Sequence, residues 1–147
     1  MVNEELLGNV NLFAACSKSD LRRIAKLATE RRVPAGTVLM REGEAADGFF
    51  VIAEGLASVT SNGHELASAG PGTTVGEMAL LDGGARAATV TTVLPTRLVV
   101  FEGHVLDALV DAVPVVAKRL LMQTSKRLRS ADALASIEAP ASAPTQL

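Results

Sequence analysis

The spacing of hydrophobic residues changes twice along this chain, and this change constrains the fold more than any other feature. Residues 31–101 contain short runs rich in β-branched and apolar side chains, and glycine-bearing breaks separate many of them. Many short strands at near-regular spacing are typical of a small antiparallel barrel or jelly roll. We predict a mainly β fold with flanking α-helices, in which residues 31–102 form an eight-stranded antiparallel jelly-roll or β-roll barrel. Six β-rich runs indicate strands directly: 37–41, 49–53, 56–60, 65–69, 88–93 and 97–101.

One of the breaks has the signature of a specific turn. Asn62 and Gly63 separate two of the predicted strands. This pair suits a two-residue hairpin turn, because both turn positions need positive φ and these residue types tolerate it. We therefore predict a β-hairpin whose turn is formed by these two residues.

Helical spacing appears on both sides of the β-rich region. Residues 11–30 have apolar side chains at three- and four-residue steps, and Ser17 or Ser19 could cap a helix there. After the strands, a short helix over 105–110 should stop before Pro114, which suits the first turn of a longer helix.

These patterns predict one domain followed by a tail. The domain spans residues 1–134, with helical structure in 11–30 and two helices in 103–134. Residues 135–147 consist largely of Ala, Ser and Pro, and we expect them to be disordered.

Charge and composition exclude several classes of protein. The net charge of −2 gives no overall electrostatic reason to bind nucleic acid. No window approaches the roughly 18 consecutive apolar residues that a membrane span needs, and Glu4 and Glu5 stand where a secretory signal would carry basic residues. Cys16 is the single cysteine, so no intramolecular disulfide can form. We expect a cytoplasmic protein with no membrane and no DNA partner.

The segment 75–90, VGEMALLDGGARAATV, carries the chemistry. Gly76 allows a backbone turn and close approach of a ligand, and residues 77–81 can form one helical turn whose first N–H groups bind anions. Arg86 would bring a planar fork of donors to two phosphate oxygens. Glu77, an acceptor, would suit sugar hydroxyls beside that anion. A simple salt bridge between Glu77 and Arg86 is the alternative explanation.

This combination resembles the phosphate-binding cassette of the cyclic-nucleotide-binding domain family. The family includes regulatory subunits of cAMP-dependent protein kinase, catabolite-activator-type transcription factors and cyclic-nucleotide-gated channels. Its pattern is Phe-Gly-Glu, an apolar turn, a short variable loop and then Pro-Arg-Ala-Ala-Thr-Val. The resemblance extends over about residues 12–129, and within the cassette it rests on Gly76, Glu77, Ala79, Leu80, Arg86, Ala87, Ala88, Thr89 and Val90.

The resemblance implies a role for each part of the cassette. Arg86 would hold the exocyclic phosphate, and Glu77 would bind the ribose 2′-hydroxyl. Backbone N–H groups of Gly76, Ala79 and Ala87 would complete the phosphate cradle, with Met78, Leu80 and Ala88 in the same binding segment. Val59 and Leu66 align with positions that line the base, although simple barrel core is an equal alternative there.

Three positions of the cassette should affect binding. Two of them depart from the family pattern, and the third directly follows the arginine. Val75 replaces the usual Phe, and Ala85 replaces the usual Pro, which leaves the loop less rigid before binding. Cyclic-GMP binders of the family often have Thr where this chain has Ala87, and alanine cannot bond the guanine amino group, so cAMP is favoured. A lid over the base could come from Leu120, Leu121 or Met122, or from a cation within 118–129. Ordinary packing on the barrel is the favoured explanation of the same leucines, and a dimer interface is another alternative.

The predicted function is that of a non-enzymatic sensor or regulatory module with cAMP as ligand and no cofactor. Ligand binding would repack the C-terminal helices, which could also form a homodimer, and the output would act on an unidentified effector in trans. The alternatives are an interaction module that binds no nucleotide, or the ligand-binding part of a transcription regulator without its DNA-binding domain. A metal-dependent enzyme is disfavoured because His64 and His104 are the only histidines and lie far apart.

Overall fold

The computed structural model describes residues 2–138 of the chain, with side chains as far as residue 126. The helices are α1 (Glu4–Gly8), α2 (Lys18–Lys26), α3 (Glu77–Asp82), α4 (Gly103–Ala112) and α5 (Pro114–Glu138), with a 3₁₀ turn at Asn11–Phe13. The strands are β1 (Thr29–Val33), β2 (Val38–Met40), β3 (Gly48–Glu54), β4 (Ala57–Ser61), β5 (His64–Ala69), β6 (Thr74–Val75), β7 (Thr89–Thr92) and β8 (Thr96–Glu102). The mainly β class with flanking helices is confirmed.

The eight strands form two four-stranded antiparallel sheets, which agrees with the predicted jelly roll or β-roll, and among the described residues these sheets do not close into a barrel. The first sheet has the order β1-β8-β3-β6 and the second sheet has the order β2-β7-β4-β5. A closed barrel would need continuous backbone hydrogen bonding between the edge strands of the two sheets. The edges are unsuited to this, because β6 has two residues and a register shift interrupts the pairing of β2 with β7. Among the described residues, strand pairing stays within each sheet.

Strand β3, in the first of these sheets, is buried on both faces over most of its length. Successive side chains of a strand point to opposite faces. Phe50 and Ile52 pack with residues of both sheets in the space between them. Phe49 and Val51 point the other way and pack with the helices. This two-sided burial explains why β3 is a continuous apolar run rather than an alternating one.

The helices form one layer over the outer face of this sheet. Phe101 lies at its centre, stacked on Phe49 with ring centroids 4.7 Å apart and in edge contact with Phe13 at 5.8 Å. Residues from both ends of the described chain join this cluster, among them Val2, Leu7, Val10, Leu12, Ile24, Leu109, Val116 and Leu120. The first and last helices are therefore parts of a single core.

Helix α2 begins where the sequence predicts a cap but ends earlier than expected. The Ser17 side chain accepts from the Asp20 N–H, and the Asp20 carboxylate accepts from the Ser17 N–H, which forms a capping box. The prediction of helical structure up to residue 30 is wrong at its end. Thr29 and Glu30 belong to β1, where they pair with Val100 and Val99 of β8.

The predicted hairpin is present. Ser61 of β4 pairs with His64 of β5, and Asn62 and Gly63 between them have φ values of 53° and 79°. Both residues have positive φ, as a type I′ turn requires.

Two helices follow the strands, as the sequence predicts, and the second of them begins at the expected residue. α4 is longer than the predicted 105–110, and α5 begins at Pro114 as expected. α5 continues to Glu138, so the first residues of the predicted tail, 135–138, are helical, and the rest of the tail lies outside the described residues. None of the described helices is both long enough and apolar enough to cross a membrane.

The aromatic contacts of Phe101 allow a prediction about stability. Phe101→Ala should lower the free energy of unfolding by about 3–5 kcal/mol, because it leaves a cavity against Phe49 and Phe13. Phe101→Leu keeps most of the volume and loses mainly the ring contacts, so its cost should be about 1 kcal/mol. Urea denaturation of the three proteins measures both values, and equal costs for the two variants would contradict this account of the core.

Candidate functional site

A glycine in the left-handed region begins the segment that forms the site. Gly76 follows β6, has φ of 90° and is the N-cap of α3. A Cβ at this position would lie 2.6 Å from Nη1 of Arg86 and 3.3 Å from Sδ of Met40. Glycine is therefore needed here for two reasons, the backbone conformation and the close approach of the arginine.

The backbone of Arg86 is fixed by the loop between β2 and β3. The Gly43 N–H donates to the Arg86 carbonyl at 2.9 Å, and the Arg86 N–H donates to the Glu44 carbonyl at 2.8 Å. Ala45 and Ala85 form an isolated antiparallel bridge beside them. These bonds therefore fix the backbone of Arg86 against the β2–β3 loop, between α3 and β7.

The guanidinium of Arg86 is buried and precisely oriented by backbone oxygens. The residue is 4% exposed. Nη1 donates to the Gly76 carbonyl and Nη2 to the Gly48 carbonyl, each at 2.8 Å, and Nη2 also donates to Oδ1 of the exposed Asp47 at 3.2 Å. A guanidinium has five N–H donors. These three bonds leave two donors, so far as the contacts of the described residues go, that an anion could use.

Arg86 faces a cavity of about 560 Å³ between the cassette and the second sheet. The cavity is large enough for a nucleotide-sized ligand and has the mainly apolar walls common in small-molecule sites. Most of the site residues predicted from the sequence line it: Val59, Leu66, Gly76, Met78, Ala79, Arg86, Ala87 and Ala88.

Two predicted residues are near the cavity without lining it. Glu77 is 1% exposed, at the start of α3. Leu80, on the same helix, packs against the core of the helical layer. Their roles as ligand contacts stay predictions.

The cavity also has walls that sequence reasoning missed. Met40 comes from β2, Thr74 is the first residue of β6, and Thr73 directly precedes that strand. Sequence offered no signal for Met40, because it reaches the site only through the pairing of β2 with β7, and no motif marked the two threonines. Lys126 of α5 also lines the cavity, and it falls within the range 118–129 where a cation was expected.

The suggested aliphatic lid is only partly compatible with the structure. Leu120 is buried in the core of the helical layer, and Leu121 is 68% exposed. Met122 lines a second cavity of about 480 Å³, which shares Thr73, Thr74 and Lys126 with the first. Lys126 is therefore the described residue of α5 that lines the first cavity.

The side chains with potential for other chemistry lie apart from this site. Cys16 is partly buried, and burial together with the nearby Asp20 raises the pKa of its thiol, an effect that Arg119 partly opposes. The thiol form is therefore favoured over the nucleophilic thiolate. Within residues 2–126, no group of three or more His, Cys, Asp or Glu side chains could hold a metal ion.

Comparison with known families decides what kind of domain this is. The family model described as "Cyclic nucleotide-binding domain" matches residues 30–112, more than half of the chain. The chain belongs to the cyclic nucleotide-binding domain family. The matched region includes the whole of the cassette and all the strands except the first residue of β1.

The relatives include a potassium channel, a catabolite activator protein and a regulatory domain of PKA. A cyclic nucleotide-gated potassium channel of Mesorhizobium japonicum is 36% identical over 134 residues, which are 90% of this chain and 37% of the channel. The catabolite activator protein of Thermus thermophilus has a TM-score of 0.80 at 29% identity, covering 86% of this chain and 62% of that one. The regulatory domain of Toxoplasma gondii PKA, solved with cAMP, has a TM-score of 0.65 at 30% identity, covering 72% and 42%. The chain spans about a third of the length of the potassium-channel relatives it matches.

The contact between Gly76 and Arg86 predicts a selective loss of binding. Gly76→Ala should weaken cyclic-nucleotide binding by about tenfold or more, because the new Cβ displaces the guanidinium from its carbonyl partners. Gly36→Ala is the matched control: Gly36 has φ of 83°, and a Cβ there would meet nothing within 4 Å. Both variants should lose about 1–2 kcal/mol of stability from backbone strain. Calorimetric titration and urea denaturation test this, and equal losses of affinity would contradict it.

Proposed function

We propose that this domain is a cyclic-nucleotide sensor, with cAMP as the favoured ligand, and that it regulates a partner rather than catalysing a reaction. The observation that carries the proposal is the buried guanidinium of Arg86 at the wall of a nucleotide-sized cavity. A cyclic nucleotide has a single negative charge on its phosphate. That charge would compensate the buried cation, and its oxygens would accept from the two remaining donors.

The phosphate would lie at the cassette end of the cavity. There the backbone turns at Gly76 and Arg86 comes close, while Ala79 and Ala87 supply short side chains that leave room for the ligand. The adjacent first turn of α3 has no side-chain cap, so its N–H groups are suited to donate to an anion. Glu77, next to Gly76, would accept a bond from the ribose 2′-hydroxyl.

The base would lie toward the β4–β5 hairpin and α5. Val59 and Leu66 offer apolar contacts on one side, and Lys126 offers a cation on another. Ala87 lines the same cavity and has no hydroxyl for the guanine amino group. A buried donor without an acceptor disfavours cGMP relative to cAMP.

The C-terminal helices are suited to carry the signal. α5 contributes Val116 and Leu120 to the core and Lys126 to the cavity, so one rigid element contacts both the scaffold and the ligand site. A ligand that contacts Lys126 would shift α5 toward the arrangement that binds it better. We propose that this movement reaches an effector in trans, or a homodimer partner through α5. The cytoplasmic location and the absence of a cofactor stay predictions.

Substitutions at Arg86 test the phosphate assignment. Arg86→Ala should weaken cAMP binding by about 2–5 kcal/mol, because the ligand charge loses its buried partner. Arg86→Lys keeps the charge without the planar fork, so its affinity should be intermediate. Calorimetric titration gives the affinities, and circular dichroism shows whether the variants are folded.

Arg31→Ala is the control for general charge effects, since Arg31 is exposed on β1 and distant in the sheet order from the cassette. It should bind cAMP like the unmodified protein. If a folded Arg86→Lys or Arg86→Ala also bound with unchanged affinity, the assignment of Arg86 would fail.

A substitution at Ala87 tests the choice of nucleotide. Ala87→Thr should raise the affinity for cGMP by about two- to tenfold, the value of one additional hydrogen bond. Ala87→Val has a similar shape without the hydroxyl and should give no such gain. Thermal shift with cAMP and with cGMP compares the three proteins. An equal gain for both variants would show that side-chain size, not a hydrogen bond, sets the preference.

A further inference from the structure

A carboxylate outside the cavity joins the hairpin to the segment that holds the arginine. Glu42 follows β2, and its Oε2 accepts from the Ser61 hydroxyl at 2.6 Å. Its Oε1 accepts from the Asn62 N–H at 3.1 Å. Both donors belong to the tip of the β4–β5 hairpin, so one carboxylate holds the end of β4 and the first residue of the turn.

The backbone around Glu42 makes a second set of contacts, toward the cassette. The Glu42 N–H donates to the Thr89 hydroxyl at 3.0 Å. The next two residues bond both backbone groups of Arg86, through the Gly43 N–H and the Glu44 carbonyl. A segment of three residues therefore contacts the hairpin tip on one side and the arginine's own backbone on the other.

Both contacts reach elements that line the ligand cavity. The hairpin carries Val59 and Leu66, which line the proposed base end. Arg86 lies at the proposed phosphate end. Glu42 itself does not line the cavity, so it can act on a ligand only by fixing the elements that do.

We propose that Glu42 is a positioning residue, whose carboxylate links the hairpin to the Arg86 segment and thereby holds the two ends of the nucleotide site in register. The ligand-binding part of this inference rests on the proposed function. We refer to the bonds from Ser61 and Asn62 to Glu42 as the Glu42 clasp.

The chemistry of the clasp favours an ionised carboxylate. Hydrogen bonds from Ser61 and Asn62 lower the pKa of Glu42 from its ordinary value. Bonds to a charged acceptor are stronger than neutral ones. The pairing of β4 with β7 reaches only as far as Thr60 and Thr89, and Asn62, Gly63 and His64 beyond it are all exposed. The clasp therefore adds a restraint at the hairpin tip, where that pairing has ended.

The first measurement requires no ligand. Hydrogen exchange of individual amides should be faster in Glu42→Ala than in the unmodified protein, about threefold or more at Asn62, which loses its acceptor, and also at Arg86, whose acceptor is the Glu44 carbonyl. Glu42→Gln retains a carbonyl oxygen and a polar group for Ser61, so it should restore most of the protection at both amides.

The matched control is Glu44→Ala. Glu44 is an exposed acid in the same loop, and its carbonyl, which accepts from Arg86, is kept in the variant. Protection at Asn62 and Arg86 should be unchanged. A Glu42→Ala protein that exchanges faster at Asn62 but not at Arg86 would overturn the proposed link between the two segments.

The second measurement is the affinity for cAMP. Glu42→Ala should bind about five- to tenfold more weakly, since the hairpin must then be ordered on binding, while Glu42→Gln and Glu44→Ala should stay within about twofold of the unmodified protein. A stability loss alone would not produce this pattern, because affinity is measured on the folded protein. Unchanged affinity in Glu42→Ala would overturn the role of the clasp in binding. If the unmodified protein bound no cyclic nucleotide, the proposed function would fail, and the exchange data would still decide whether the clasp joins the two segments.

Discussion

The site of this domain depends on a positive charge held away from water. Burying a guanidinium is costly unless its donors are matched by acceptors. Here the carbonyls of Gly48 and Gly76 accept two bonds, and the exposed Asp47 accepts a third. Because the acceptors come from β3 and from the start of α3, the arginine joins the first sheet to the cassette. These bonds compensate the cost of burying the guanidinium. They also fix the direction of its two remaining N–H donors.

That arrangement explains why the two sheets contribute different parts of the site. The first sheet has helices on one face and the second sheet on the other, so its strands have little freedom to shift. The second sheet has an exposed edge strand, β5, and contributes Val59 and Leu66 to the cavity. A rigid wall thus supports the charged end of the site, and a more exposed hairpin forms the other end. The exposed carboxylate of Glu42 lies between the charged end of the site and the hairpin.

Features encoded by local residue types could be predicted from the sequence. The turn at Asn62 and Gly63 needs only positive φ, and the cassette needs a glycine, one helical turn and an arginine in a fixed order. Pairing between distant segments could not be predicted. β1 has four exposed residues out of five and directly follows a helix, so nothing in its own pattern reveals that β8 is its partner. Lys126 reaches the cavity only because Val116 and Leu120 fix the path of α5, and no motif marks a lysine for that role.

The residues before the family match have a practical importance for any shortened version of this protein. Val2, Leu7, Val10 and Leu12 pack in the same core as Phe101 and Val116, and Arg119 of α5 donates twice to the Asn11 carbonyl. An expression fragment cut at residue 30, where the match to the family begins, would keep every cassette residue. It would nonetheless expose the aromatic residues around Phe101. It would also remove the N-terminal residues that α5 contacts. The smallest autonomous unit is therefore larger than the recognisable motif and includes the core residues Val2, Leu7, Val10 and Leu12.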